Sequence, residues 1–341
     1  MHKESVKSID FKDWFPRTDL AIEISNTLKL NQAEDYQIPG VKVHTDYKES
    51  CDMTITHVSI ENESGEEHMG KPKGDYITIE CSSIKENNPD AHKEVIAAVA
   101  QSLTFVLPKN LSKTLNVLVI GLGNRFATPD TLGPKVANKV LVTRHINLKT
   151  PDSIDDSVCH LSSLAPGVMG LTGIETVEII SGVAEKIKPD CIIAIDALAA
   201  RSASRINSTI QITNTGISPG AGVGNSRKQL NEQTVGCPVV AIGVPTVVDT
   251  ATLVTDALNQ LIENMLKQAE HSQLYDMLKE LSEQEKYHLI RETLFPQIGD
   301  LFVTPKEIDE VIEYLTSIIA NAINIAVHPG ISIEDINKYT Y

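Results

Sequence analysis

The stretch that most constrains the fold of this chain is Leu115 to Pro134, LNVLVIGLGNRFATPDTLGP. Leu115 to Ile120 is a near-continuous run of β-branched residues and leucine, as in a strand covered on both faces of a parallel sheet. Gly121 and Gly123 follow, where the backbone must turn sharply. Thr128-Pro129-Asp130 then opens a helical pattern running through Leu132, Val136, Val140 and Leu141. This order predicts an α/β fold, with Asp130 at the carboxyl end of a parallel strand, where open sheets place their ligand crevice. As an isolated residue Asp130 also reads as a helix N-cap. A dinucleotide site is disfavoured: Phe126 stands where the third glycine of G-x-G-x-x-G belongs, and no acid closes a second strand at the required distance.

A second acid gives Asp130 a partner. Cys191 to Leu198, CIIAIDAL, is another buried-type strand, and it carries Asp196 at its end. A helical stretch precedes it, with Ile174, Val177, Ile180, Val183 and Ile187 at helical spacing and Lys188-Pro189-Asp190 as its stop. Two parallel strands in one right-handed α/β sheet would present both aspartates from the same edge. A carboxylate pair in a cleft holds a water or shares a proton, and so serves as general base and general acid. The same pair could instead hold a divalent metal ion that activates the water. Two strand-end acids making local hydrogen bonds remain the plain structural alternative.

The rest of the chain sets boundaries. At 341 residues it is long enough to bury a large core, and with 41% hydrophobic but only 4% aromatic residues that core is aliphatic. The N-terminal Lys3, Glu4, Lys7, Asp10, Lys12 and Asp13 do not read as a signal peptide, and no run approaches the roughly 18 uncharged apolar residues of a membrane span, so a cytoplasmic protein is expected. Cys51, Cys81, Cys159, Cys191 and Cys237 lack metal-type spacing and read as reduced thiols. Cys159-His160 resembles a nucleophile and base only on paper, because adjacent side chains rarely face each other. A net charge of −15 argues against direct nucleic-acid binding, and Lys71 and Lys73 read as offsetting Glu66 and Glu67.

Residues 1–19 read as a charged leader. About 40–82 shows alternating segments read as strands of a more exposed sheet, and His92 to Leu107 reads as a helix. The α/β core spans about 112–268, with a further strand at Pro238 to Ile242 and Asp249 capping the next helix. A C-terminal helical part covers about 269–341, where Thr304-Pro305-Lys306-Glu307 reads as a capping box opening a helix to about Val327. Gly220 to Gly224 could cradle an anion but reads rather as a flexible loop, with substrate gating as the sharper version of that reading.

Several blocks then resemble the germination proteases of spore-forming bacteria: RTDLAIE, TPDTLGPKVANKVLVTRH, APGVMGLTGIET, CIIAIDALAARSASRINSTIQI, SPGAGVGNSRK, AIGVPTVVD and VTPKEID. The likeness runs from about Arg17 to about Val327. It implies an endopeptidase that degrades small, acid-soluble, DNA-coating spore proteins, with the family's two essential aspartates falling on Asp130 and Asp196. It implies a homotetramer in the forespore or spore core, and a zymogen. The segment Thr18 to Ile24, TDLAIEI, is similar to the family's substrate site, an acid followed by a large apolar residue, alanine, and then glutamate. That likeness implies self-cleavage between Asp19 and Leu20, leaving 20–341 as a single peptidase domain. The physical expectation is a cleft with an apolar pocket beside a basic or hydrogen-bonding subsite, while Asp19 also reads as a cap for the helical stretch Leu20 to Leu30.

The GLGN…D…GP arrangement is also similar to the hydrogenase maturation endopeptidases. The expected fold is therefore a mostly parallel central sheet flanked by helices, with a smaller strand-rich N-terminal portion. No cofactor is certain, and whether the aspartates hold a metal stays open. A non-catalytic α/β protein binding a metal or small ligand in the same crevice is the alternative. The chain looks shorter than longer family members near Gln268 to Lys286, which touches neither acid.

Overall fold

The computed structural model describes residues 19–30, 37–108, 115–149, 157–220, 228–267, 285–287, 289–290, 292–293 and 301–338. Among the described residues nine strands form one sheet: β1 Val41–Lys48, β2 Met53–Ile60, β3 Gly74–Cys81, β4 Asn116–Gly121, β5 His160–Leu164, β6 Cys191–Ala200, β7 Thr209–Thr213, β8 Val239–Asp249 and β9 Phe302–Val303. The order is β1-β2-β3-β7-β8-β6-β4-β5, with β9 on β8. The pairs β5·β4, β4·β6 and β6·β8 are parallel. From β8 outward through β7, β3, β2 and β1 every pair is antiparallel.

The parallel part is built from the apolar runs read as core strands. Val117 to Ile120 and Cys191 to Ile195 are at most 1% exposed, and helices cover both faces. The strands at 40–82 do not form a more exposed sheet of their own. β3 pairs with β7, Ile79 opposite Ile210, so they extend the central sheet. The reason is that Ile77, Ile79 and Cys81 bury against the helix Pro89–Val106, which itself packs on the helix Ile308–Val327.

Several local expectations need correction. The helix preceding β6 begins at Thr176, so Ile174 lies before it and is 47% exposed. The helix after β9 starts at Ile308, and no capping box forms at Thr304; that hydroxyl donates to the Thr246 carbonyl at 2.8 Å instead. This helix, Ile308–Val327, is also long and apolar enough to cross a membrane by length and composition alone. Its apolar residues Ile312, Leu315, Ile319 and Ile323 are fully buried in the core. Asp249 does cap the helix Thr250–Lys267, accepting the Ala251 N–H at 3.1 Å. The segment near Gln268 to Lys286 lies almost wholly outside the described residues.

His328 ends the helix Ile308–Val327 in complete burial, and its Nδ1 accepts the Cys159 N–H at 3.2 Å. Burial pushes its imidazole down to about 4 from the ordinary 6.5. The unfolded chain therefore takes up this proton near pH 6.5, and the folded chain only near pH 4. Stability is lost as pH falls through that window, by up to about 1.4 kcal/mol per pH unit. His328→Gln keeps an acceptor without the titration. Its melting temperature should fall less than that of the wild type between pH 6.5 and pH 4. Parallel curves would place the acid sensitivity elsewhere.

Candidate active site

Asp130 and Asp196 line one crevice of about 270 Å³, at the carboxyl edge of the parallel strands. The register explains their meeting. Pairing of β4 with β6 ends at Gly121 opposite Ile195, after which the Leu122 N–H donates to the Ile195 carbonyl at 2.8 Å. Asp196 is thus the first residue of β6 with no β4 partner, still held on its other side opposite Gly243 of β8. β6 does not end there but continues to Ala200. Asp196 is 4% exposed, and its Oδ1 accepts the Ala197 N–H at 3.0 Å.

Asp130 arrives from the other side. It closes a 3₁₀ turn, Thr128–Asp130, and the helix Leu132–Lys139 takes Thr131 as its N-cap, so Asp130 is not the capping residue. Its Oδ2 accepts the Asn124 N–H at 2.7 Å across the glycine loop. Gly123 makes this possible with φ +113°, and a Cβ there would stand 2.2 Å from the Asp130 carbonyl oxygen. Gly133 brings the helix start onto the strands: a Cβ there would lie 2.1 Å from the Leu122 carbonyl oxygen and 2.6 Å from that of Ile195. The two glycines let backbone pack on backbone, and this sets where Asp130 stands relative to Asp196.

The third acid in the crevice is Asp19. Its Oδ2 accepts the Ala199 N–H at 3.1 Å, joining the start of the described chain to the end of β6. Leu20 and Ile22 bury against Leu198, and Ala21 is fully buried at the start of the helix Ala21–Leu30. Glu23 is 3% exposed and accepts the N–H groups of Arg201 and Ser202 at 2.9 and 3.1 Å, with Arg205 at 3.3 Å. Beside the crevice lies a second cavity of about 260 Å³, lined in part by Asp19, Lys71, Tyr76, Gln211 and Thr215. Lys71, read from the sequence as offsetting Glu66, lines this second cavity instead. Its Nζ turns inward and donates to the Asp19 carbonyl at 3.0 Å. Gln211, buried in β7, carried only the signal of a polar residue between two isoleucines. Gly220 lines the main crevice, while the remainder of its glycine loop falls outside the described residues.

A resident metal ion needs several donor side chains converging on it. Among the described residues no group of three or more His, Cys, Asp and Glu side chains converges to hold one. Asp19, Asp130 and Asp196 each already accept a backbone N–H.

Thiol chemistry does not fit. All five cysteines are free and buried. Burial raises the Cys159 thiol and pushes Cys191 up to about 12, away from the thiolate a nucleophile requires. Cys159→Ala should therefore cleave peptide with kcat within about twofold of the wild type. A folded variant without turnover would show that the thiol takes part.

Comparison with known proteins agrees with the blocks quoted above. The germination protease family profile matches residues 19–273 and 259–340. The germination protease of Clostridium acetobutylicum is 47% identical over 325 residues, covering 95% of this chain and 98% of its own length. That of Clostridium perfringens is 48% identical over 324 residues, with the same coverage. A Bacillus cytotoxicus relative is 40% identical over 366 aligned positions, covering 98% and 99%. Among solved structures, a [NiFe] hydrogenase maturation protease, HycI from Thermococcus kodakarensis, is similar at 17% identity and a TM-score of 0.31, covering 65% of this chain and 98% of its own. Matched along nearly its whole length at this level of identity, the chain belongs to the germination protease family.

Proposed function

We propose that this protein is an endopeptidase that begins the degradation of small, acid-soluble spore proteins during germination, in the spore core. It is made as a zymogen that removes its own leader by cutting between Asp19 and Leu20. The observation that carries this reading is the convergence of Asp130, Asp196 and Asp19 on one crevice. The two strand-borne carboxylates form the reactive pair, and the third acid precedes the bond to be cut.

The chemistry follows from a pair that shares one proton. The ionised carboxylate takes a proton from water as its oxygen attacks the Asp19 carbonyl carbon. The protonated partner gives its proton to the Leu20 nitrogen as the C–N bond breaks. Atoms and charge balance without a metal. Each aspartate is held by a backbone N–H on one oxygen. Four protomers assemble into the working enzyme, and substrates reach the crevice as free proteins rather than on DNA.

N-terminal mapping of the matured wild-type chain, run beside Asp196→Asn under the same conditions, tests this. The expected mature chain starts at Leu20, and the Asp196→Asn chain incubated alone stays unprocessed. A different first residue refutes the site. Normal processing of the variant refutes self-cleavage.

A further inference from the structure

We infer that Lys71 and Gln211 form the oxyanion cradle of this peptidase, donating to the carbonyl oxygen of the bond that is cut. The inference rests on the reading that Asp19–Leu20 is that bond. The Asp19 carbonyl oxygen accepts from Lys71 Nζ at 3.0 Å and from Gln211 Nε2 at 3.2 Å. The other end of the same Gln211 amide accepts the Ala21 N–H at 2.7 Å, which fixes its orientation: oxygen toward the N–H, nitrogen toward the carbonyl. Gln211 thus brackets Leu20, holding the Asp19–Leu20 peptide by its carbonyl and the Leu20–Ala21 peptide by its N–H.

The placement suits attack from the opposite side. Asp19 and Leu198 line both cavities, so the bond sits in the wall between them. The carboxylate pair faces it from the main crevice, and the two donors hold its oxygen from the second cavity. As water adds to the carbonyl carbon, the C=O π electrons move onto this oxygen, and the negative charge forms between an ammonium and an amide N–H. Donors fixed in place before charge develops stabilise the transition state most where water is scarce. Burial lowers the Lys71 ammonium from its ordinary value, with the Asp19 charge opposing that shift. In substrates cut in trans, the scissile carbonyl takes the position of the Asp19 carbonyl.

The test is the first-order rate of processing of the full-length chain in cis, where no encounter step enters, for Lys71→Met, Lys71→Arg and Gln211→Glu. Gln211→Glu keeps the acceptor for the Ala21 N–H but loses the amide donor, and Lys71→Arg keeps a cationic donor. Lys71→Met and Gln211→Glu should each slow cleavage by about 10²–10³-fold at unchanged melting temperature, with Lys71→Arg recovering at least a tenfold part of the loss. A purely structural role would lower the melting temperature and would not be rescued by arginine. Rates within about threefold of wild type in both donor-lacking variants overturn the cradle. Wild-type cleavage at another bond, or processing by Asp196→Asn alone, overturns instead the reading on which it rests.

Discussion

Asp130→Asn and Asp196→Asn should each reduce peptide-bond cleavage by at least about 10²–10⁴-fold, the range for losing a general acid or base. The melting temperatures should stay close to that of the wild type. Both substitutions preserve shape, and the amide oxygen still accepts the N–H of Asn124 or of Ala197. What is lost is proton exchange: an amide neither takes a proton from water nor gives one to the leaving nitrogen. Because the pair acts as a unit, the double variant should be little worse than either single one. The check is single-turnover cleavage of a peptide copying residues 16–26, with melting curves alongside. A folded variant cutting at near-normal rate would remove that aspartate from the mechanism.

The second large effect is expected at Gly133, which touches no substrate. Gly133→Ala would push a methyl to within 2.1 Å of the Leu122 carbonyl oxygen and 2.6 Å of that of Ile195. Both neighbours are backbone, so the helix Leu132–Lys139 must lift and carry the Thr128–Asp130 turn with it. Overpacking of this kind costs about 1–3 kcal/mol. A displacement of about 1 Å between the two carboxylates costs a further ~10²-fold in rate. Gly182→Ala provides the contrast: it lies in the helix Thr176–Ile187 with open space around its Cβ position. There alanine should stabilise by up to about 1 kcal/mol and leave activity unchanged. Equal behaviour of the two variants would show that the close approach at Gly133 does not position Asp130.

Particular residues show how far the sequence reached. Val117 to Ile120 and Cys191 to Ile195 announced two buried parallel strands because burial on both faces demands continuous apolar residues, a property of each segment alone. The positions of the two aspartates were legible for the same reason: Asp196 directly follows such a run, and Asp130 comes in the segment after the glycine turn that ends the other. The helix stop at Lys188 was also local, and the structure shows it as a left-handed C-cap at φ +49°.

The failures share a different cause. The helix-cap alternative for Asp130 failed because its partner, the Asn124 N–H, is reached only after the glycine loop folds back. Thr304 had a capping box in sequence, but the Thr246 carbonyl, 58 residues away, claimed its hydroxyl. The strands at 40–82 read as a separate exposed sheet because nothing in their alternation tells which edge they pair with; contact between β3 and β7 decides that across more than 100 residues.

By itself, then, the sequence determined the buried strands and the family, and it placed Asp130 and Asp196 at the strand ends whose crevice they line, since these depend on composition along a few consecutive residues or on matched blocks. Only the tertiary structure decided that Asp19 shares their crevice, that Lys71 turns inward from a charged surface stretch, and that Gln211 bridges Asp19 and Ala21 from 190 residues away. Hydrogen bonds across such separations are set by where the sheet brings strands together, and short-range pattern carries no record of that.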